Sequence, residues 1–130
     1  MKYLLDTHIV LWLAENSTSL SASVKDLLLD EASDKYVSIA SCWEVSIKLS
    51  LGKLTLEGGT NEFFRIIQEN GFRLLQIEAD HLMVLELLPF HHRDPFDRLL
   101  IASAISEGMA FITTDTQMLA YAGENLQVIY

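Results

Sequence analysis

The sequence has one cysteine, two prolines and no long uninterrupted apolar run among its 130 residues. Cys42 has no partner for an internal disulfide, so we expect a reducing, cytoplasmic setting and a small core residue at this position. A membrane span needs about 20 consecutive apolar residues. The N-terminus enters a strand-like segment and lacks the pattern of a signal peptide. These absences exclude a disulfide scaffold and a membrane-spanning protein.

Basic residues are also scarce, with 9 Lys and Arg against 18 Asp and Glu and a net charge of −9. A protein that binds nucleic acid by neutralising many phosphates is usually basic. The charge therefore excludes a generic surface for coating DNA or RNA. It is compatible with an enzyme that holds one phosphodiester through metal ions. It also suits a basic protein partner, because complementary fields speed association.

Half of the residues are hydrophobic, and the chain length favours a single domain over 1–130 with a proper core. The two tryptophans, Trp12 and Trp43, lie among aliphatic residues at helical spacing and are predicted to be core. Strands are predicted at 2–5, 36–39, 73–77, 111–113 and 127–129, and helices at 9–15, 22–31, 42–51, 61–70, 79–88, 95–107 and 117–122. Alternating strands and helices of this length predict an α/β fold with a parallel sheet covered on both faces.

Several residues of the capping and turn types mark the predicted helix ends. Thr7 is expected to cap the first helix and Asn16 to close it. Ser17–Ser21 is predicted to be a loop. Gly71 and Gly108 each follow a predicted helix directly, at the position where a glycine commonly ends one.

Four acidic residues, far apart in the sequence, each occupy a predicted strand end or helix start. Asp6 and Asp115 follow apolar strands, and Glu44 and Asp97 fall in the first turns of predicted helices. Ligands of open parallel sheets bind at the carboxyl ends of the strands. Two unit charges about 4 Å apart repel by on the order of 4 kcal/mol at an effective dielectric constant near 20. Such a cluster requires bound cations or raised pKa values, so it indicates chemistry more than stability.

Two of the acidic positions match helix caps. Ser41-Cys42-Trp43-Glu44 fits a capping box, and Lys48 is placed to pair with Glu44 one turn later. Asp94 directly precedes Pro95, which is the arrangement of an N-cap followed by proline at the first helical position. Either residue could therefore have a purely structural role as a helix cap.

The other acidic positions have structural alternatives as well. The helix dipole favours a negative charge at Asp97, Asp6 could cap the first helix, and Asp115 could start a turn or cap the last short helix. Taken singly, none of these residues separates the structural from the functional interpretation. Their joint placement favours function.

The segment before the sixth helix carries two adjacent histidines and two arginines. His91 and His92 do not share a helical face, and the sequence has neither a cysteine cluster nor an HExxH pattern. A loop role near substrate is therefore preferred to a zinc site. Arg93 and Arg98 flank the acidic pair of this segment, and contact with phosphate or neutralisation of carboxylates is open for both.

Four motifs in this order and spacing resemble the PIN-domain proteins, and most closely the VapC toxins of prokaryotic type II toxin–antitoxin modules. The resemblance covers essentially the whole chain. The motifs are Leu4-Leu5-Asp6-Thr7-His8, Ser41-Cys42-Trp43-Glu44-Val45-Ser46-Ile47-Lys48, His91-His92-Arg93-Asp94-Pro95-Phe96-Asp97-Arg98-Leu99-Leu100-Ile101-Ala102 and Thr113-Thr114-Asp115.

This resemblance implies a three-layer α/β/α PIN-like domain and a Mg²⁺- or Mn²⁺-dependent endoribonuclease acting on RNA. By position, Asp94 matches an additional acidic residue, and Thr7 and Thr113 match hydroxyl positions that orient neighbouring carboxylates. It also implies a cognate antitoxin and a homodimer, for which the helices after Ser21 and Ser41 are candidate faces. The catalytic, metal-binding acidic quartet corresponds to Asp6, Glu44, Asp97 and Asp115.

The donor chemistry agrees with this expectation, since hard oxygen ligands suit Mg²⁺ or Mn²⁺ whereas zinc is expected with His or Cys. Asp6 and Asp97 are the first candidates for ligands, Asp115 for completing a second site, and Glu44 for holding or deprotonating a metal-bound water. Two rival functions are an aspartate-based phosphatase and a non-catalytic acidic α/β binding module. The phosphatase usually has a second Asp two positions after the first, where this sequence has His8.

Overall fold

The computed structural model describes residues 1–15 and 20–130, and within them five strands form one parallel sheet. The strand order is β3-β2-β1-β4-β5, and every neighbouring pair is parallel. The strands are β1 (Lys2–Leu5), β2 (Asp34–Ser38), β3 (Arg73–Leu75), β4 (Ala110–Ile112) and β5 (Val128–Ile129). The predicted α/β class with a central parallel sheet is confirmed.

The helices follow the predicted alternation, with ends displaced by a few residues. They are α1 (Thr7–Ala14), α2 (Ala22–Leu29), α3 (Ile39–Ser50), α4 (Gly59–Glu69), α5 (Ala79–Leu87) and α6 (Pro95–Glu107). The last predicted helix is a 3₁₀ segment over Thr116–Tyr121. None of the helices in the described ranges is long and apolar enough to cross a bilayer.

Two apolar clusters cover the two faces of the sheet. Leu5 and Ile112 belong to one cluster, with residues of α1, α3 and α4, whereas Leu4 and Phe111 belong to the other, with residues of α6. Successive side chains of a strand point to opposite faces, so neighbouring residues of β1 and β4 enter different clusters. Burial on both faces explains why these strands are continuous apolar runs, as predicted for a three-layer parallel sheet.

Two of the predicted helix boundaries change. Thr7 is not the cap of α1 but its first residue, because Asp6 is the N-cap and its side chain accepts from the Thr7 N–H. Asn16 and most of the predicted loop Ser17–Ser21 lie outside the described residues, while Ser21 itself caps α2. Gly108 ends α6 in the left-handed conformation, at φ 68°, as predicted.

The pairing of β1 with β4 brings two chemically important positions together. Leu5 is the register partner of Ile112, so the next residues of the two strands, Asp6 and Thr113, emerge side by side at the carboxyl edge of the sheet. The helices α3 and α6 begin near the same edge. This edge is the place that the parallel topology assigns to a ligand.

Candidate metal centre

Asp6 stands at the end of β1 and is nearly fully buried, with 3% of its surface exposed. Its Oδ1 accepts a hydrogen bond from the Thr7 N–H at 2.7 Å, and its Oδ2 accepts one from Thr113 Oγ1 at 2.7 Å. Burial raises the pKa of Asp6, and the hydrogen bond from Thr113 is the largest effect in the opposite direction. The residue thus caps α1 and also presents a buried carboxylate at the sheet edge.

The predicted capping box at Glu44 is wrong. Helix α3 begins at Ile39 with Ser38 as its N-cap, whose Oγ accepts from the Ala40 N–H at 3.0 Å, so Glu44 lies in the second turn. The Ser/Thr-x-x-Glu pattern was misleading because Ser38 lies one turn before Ser41 and suits the same role.

The side chain of Glu44 is instead buried at the centre, 3% exposed. Its Oε1 is 2.9 Å from the hydroxyl of Thr7, and its Oε2 accepts from Lys48 Nζ at 2.8 Å, which confirms the predicted pairing one turn apart. This hydrogen bond is the main reason why the pKa of Lys48 is raised. Both oxygens of Glu44 are therefore held in place by protein donors.

Asp94 is the N-cap of α6, as predicted. Its Oδ1 accepts from the N–H groups of Phe96, at 2.8 Å, and Asp97, at 3.2 Å, and Pro95 occupies the first turn. The cap sets the direction of the first turn, and with it the position of Asp97. The carboxylate of Asp94 thus caps α6 and also adds negative charge near Asp97.

Asp97 has the most strongly perturbed carboxyl of the centre, with a pKa raised to about 8. Burial is the largest cause of this shift, and the remainder is repulsion from four neighbouring carboxylates. These charges belong to Asp6, Asp94, Glu44 and Asp115. The four predicted carboxylates are thus close enough to raise the pKa of one of their number, and near neutral pH Asp97 retains its proton.

Asp115 follows β4 and caps the 3₁₀ segment. Its Oδ1 accepts from the Gln117 N–H at 2.9 Å, so one predicted alternative, the cap, is correct. Its backbone N–H donates to Thr113 Oγ1 at 3.0 Å, and that hydroxyl donates onward to Asp6. Thr113 therefore links the carboxylate of Asp6 to the backbone of Asp115.

His92 enters the carboxylate cluster, which the sequence did not indicate beyond a loop role near substrate. Its Nε2 lies 3.2 Å from Oδ2 of Asp97 and 3.2 Å from Oδ2 of Asp115. These three ligand atoms lie within 4.8 Å of one another. His91 points elsewhere and packs edge-on against the ring of Tyr121, so the two adjacent histidines do not act together, as expected.

Arg98 is buried and has neither of the roles considered from the sequence. Its guanidinium donates to the carbonyl oxygens of Pro89, at 2.9 Å, and Leu88, at 3.2 Å, and lies 3.8 Å from the centre of the Phe90 ring. Arg93, by contrast, is exposed. Arg98 thus holds the loop before α6 through these hydrogen bonds. The local sequence spacing, which suggested a phosphate contact, did not predict this structural role.

Trp43 is 59% exposed, so its predicted place in the core is wrong. The buried positions of α3 include Ser41, Cys42 and Val45, and Trp43 falls off this stripe. Its ring meets that of Phe96 edge-to-face with centroids 5.0 Å apart. The two rings of this pair thus belong to the residues that directly precede Glu44 and Asp97 in the sequence. Trp12, half-buried, packs against the core as expected.

Most donors at this edge are carboxylate oxygens, whose hard character fits Mg²⁺ or Mn²⁺, and the imidazole of His92 adds one nitrogen to them. Burial first, and then repulsion from the neighbouring carboxylates, raises the pKa of Asp97, and a divalent cation would neutralise that repulsion. Cys42 takes no part, because burial raises the pKa of its thiol to about 11 and its side chain belongs to the core. The arrangement fits an oxygen-ligated divalent ion.

A parallel five-stranded sheet between two helical layers, with buried carboxylates gathered at its carboxyl edge, defines a class of small α/β domains with an acidic centre. The chain belongs to the PIN domain family, whose model matches residues 3–124. No curated protein matches the sequence.

Solved structures of similar fold are known at low sequence identity. VapBC2 from Rickettsia felis, bound to a DNA fragment from its promoter, matches with 16% identity and a TM-score of 0.74, over 98% of this chain and 97% of that one. VapBC-1 from nontypeable Haemophilus influenzae matches with 17% identity and a TM-score of 0.68, over 98% and 96%. FitAcB from Neisseria gonorrhoeae matches with 18% identity and a TM-score of 0.65, over 98% and 96%. These likenesses establish the fold.

Proposed function

We propose that this chain is a divalent-metal-dependent endoribonuclease and the toxin of a type II toxin–antitoxin module. The observation that supports it most is the convergence of Asp6, Glu44, Asp97 and Asp115 at one edge of the sheet, with the pKa of Asp97 raised to about 8. A cluster of this kind costs stability unless a cation neutralises it. Membership of the PIN domain family agrees with a nuclease.

Asp6 and Asp97 are the proposed ligands to Mg²⁺ or Mn²⁺, with Asp115 and Glu44 completing the centre directly or through water. A bound ion of this type activates water and stabilises negative charge on the leaving oxygen of a phosphodiester. The protein holds the ligands in advance: Thr113 fixes Asp6, and Thr7 with Lys48 fixes Glu44. Asp97 would hold the ion as an ionised carboxylate, because a ligating carboxylate must be deprotonated.

Aromatic side chains beside the centre provide a way for an acidic protein to hold RNA. Trp43 and Phe96, the sequence neighbours of Glu44 and Asp97, form an edge-to-face pair, and Trp43 is exposed. Stacking of an unpaired base on an aromatic ring contributes about 1–3 kcal/mol. We therefore propose single-stranded RNA as the substrate, presented as a loop or an unpaired segment.

The proposed partners are a cognate antitoxin and a second copy of the chain. The similar structures include VapBC complexes from Rickettsia felis and Haemophilus influenzae. The net charge of −9 suits an antitoxin segment that carries basic side chains toward the carboxylates. The homodimer rests on the family resemblance alone.

RNA cleavage with and without Mg²⁺ or Mn²⁺ tests the function. We expect metal-dependent cleavage by the wild type and a loss of at least about a hundredfold in Asp6→Asn and Asp97→Asn. Asp26→Asn, an exposed aspartate of α2 outside the centre, is the matched control and should cleave normally. Thermal unfolding of each variant separates loss of chemistry from loss of fold.

The rival functions give different results in the same experiment. A phospho-aspartate trapped at Asp6, without RNA cleavage, would establish the phosphatase. Binding of neither Mn²⁺ nor RNA would leave the acidic binding module. Full metal-dependent cleavage by Asp6→Asn or by Asp97→Asn would remove that residue from the mechanism.

A further inference from the structure

We infer that His92 is a positioning residue of this centre: its imidazole donates to Asp115, lies beside Asp97, is not a ligand, and occupies the place between them that a second cation would need. The inference rests on the proposed function, because it concerns how the proposed ion is held. Two independent features of the structure support it. One is the hydrogen bonding of the ring, and the other is the set of hydrogen bonds from Tyr121 and Arg98 that holds the loop carrying His92.

The hydrogen bonding of the imidazole decides which nitrogen carries the proton. The backbone N–H of Asp94 donates to Nδ1 of His92 at 3.1 Å, so Nδ1 must be an unprotonated acceptor. In a neutral imidazole with Nδ1 unprotonated, Nε2 carries the hydrogen. Nε2 then has no lone pair for a metal ion. Its N–H donates to Oδ2 of Asp115, and Oδ2 of Asp97 lies at the same distance of 3.2 Å from Nε2.

The loop that carries His92 is held from the other side, so the ring is not free to swing away. The backbone N–H of His92 donates to the hydroxyl of Tyr121 at 3.0 Å, and that hydroxyl donates to Pro89 O at 2.7 Å. The buried guanidinium of Arg98 donates to the carbonyl oxygens of Pro89 and Leu88. Arg98 belongs to α6, and Asp94, whose backbone N–H donates to Nδ1 of His92, is the N-cap of the same helix. The imidazole is therefore part of the fixed structure.

A cation bridging the two Oδ2 atoms on this side would meet the Nε2 hydrogen, because Nε2 is only 3.2 Å from each oxygen. The N–H group already supplies positive potential there. Asp97 retains its other oxygen, Oδ1, for an ion elsewhere in the centre. We therefore expect one divalent ion per chain, bound by oxygen ligands only. Removing the imidazole should open a second, weaker site between Asp97 and Asp115.

The experiment combines Mn²⁺ titration calorimetry with pulsed electron paramagnetic resonance on the full chain. The wild type should bind one Mn²⁺ and show no nitrogen hyperfine coupling from a ligating imidazole. His92→Gln keeps an N–H donor near the position of Nε2 and should also bind one ion. His92→Ala should bind two. Asp26→Asn, an exposed change on α2 outside the centre, is the control and should behave as the wild type.

Each other outcome overturns the inference. Nitrogen coupling in the wild type that disappears in His92→Ala would make His92 a direct ligand, and this measurement stands even if a variant folds poorly. Two ions in the wild type, or one ion in a folded His92→Ala, would show that the imidazole does not exclude a second cation. These results leave metal-dependent RNA cleavage by the wild type intact. Failure of the wild type to bind Mn²⁺ at all would overturn the proposed function as well.

Discussion

Thr113 donates a hydrogen bond of 2.7 Å to Oδ2 of Asp6, although 107 positions separate the two residues in the sequence. The contact arises because β1 and β4 are parallel neighbours whose last residues, Leu5 and Ile112, are register partners. Thr113 Oγ1 also accepts from the backbone N–H of Asp115. One buried hydroxyl thus holds the carboxylate of Asp6 beside the backbone of Asp115.

Thr113→Val should weaken the metal centre while nearly preserving side-chain shape. Asp6 would lose the hydrogen bond that most opposes its raised pKa, so its ionised form would be disfavoured further. We expect a loss of about 10–100-fold in Mn²⁺ affinity, the usual effect of removing a group that orients a metal ligand. Calorimetry measures it. Thr113→Ser keeps the hydroxyl and should restore most of the affinity; an equal loss in both variants would contradict the role of the hydrogen bond.

Asp97→Asn should stabilise the metal-free protein at alkaline pH. The folded-state pKa of Asp97, about 8, lies above its ordinary value of 3.8, so its contribution to stability is fully present below pH 3.8 and is lost as pH rises toward 8. At pH 8.5 the variant avoids this cost, and we expect a gain of about 1–3 kcal/mol, or roughly 4–12 °C in Tm. Thermal melts in a chelator measure it.

The gain from Asp97→Asn should shrink as the pH falls below the ordinary pKa of 3.8, where the wild-type carboxyl is protonated in both the folded and the unfolded state. Asp26→Asn, on the exposed face of α2, supplies the baseline for removing one negative charge. A Tm for Asp97→Asn below that of the wild type at pH 8.5 would contradict the repulsion among these carboxylates.

Metal binding should release a proton below about pH 8. The carboxyl of Asp97 must ionise before it can ligate, so Mn²⁺ affinity should rise by up to about tenfold per pH unit up to pH 8 and then level off. Calorimetry in two buffers of different ionisation enthalpy counts the protons released. In Asp97→Asn the slope should flatten. An affinity independent of pH between 6 and 8 in the wild type would show that Asp97 is already ionised there.

Trp43→Leu should weaken RNA binding without weakening the fold. The ring is 59% exposed, so its loss costs little stability, whereas loss of one stacked base costs about 1–3 kcal/mol, or roughly 5–150-fold in affinity. Binding of short unstructured RNA to the inactive Asp6→Asn background measures it. Leu51→Ala, 61% exposed after the far end of the same helix, is the control and should bind normally.

The salt dependence of RNA binding provides a second measure of the stacking proposal. If stacking rather than phosphate neutralisation holds the RNA, affinity should fall only weakly between low and high salt. A steep salt dependence together with normal binding by Trp43→Leu would assign RNA binding to a basic surface instead.

Arg98→Lys should destabilise the loop before α6. A lysine cannot reproduce the planar fork that donates to the carbonyl oxygens of Leu88 and Pro89 from a buried position. We expect a cost of about 1–3 kcal/mol in the free energy of unfolding, measured by denaturant titration. Arg93→Lys changes an exposed arginine five positions earlier and should cost nothing measurable. Equal stability of the two variants would show that the hydrogen bonds of the Arg98 guanidinium contribute little to the free energy of unfolding.

Much of the architecture is encoded in short stretches of sequence. The alternation of apolar strands with helical patterns predicts the parallel α/β fold, and Asp94, Pro95 and Gly108 bound α6 as their residue types suggest. Such signals are reliable because caps, prolines and left-handed glycines act on the neighbouring one or two turns. The same locality explains the error at Glu44, since two serines one turn apart, Ser38 and Ser41, both suit the cap of α3.

The acidic centre needs both levels of description. Local sequence places Asp6 and Asp115 after strands and Asp97 in a first turn, which follows from chain direction and strand length alone. Which groups face one another depends on strand register and on the packing of α3 and α6, and these are set by contacts between distant residues. The approach of His92 to Asp115, the burial of Arg98 and the exposure of Trp43 all belong to that second level. No local pattern encodes them, because each arises only after the helices and strands have packed.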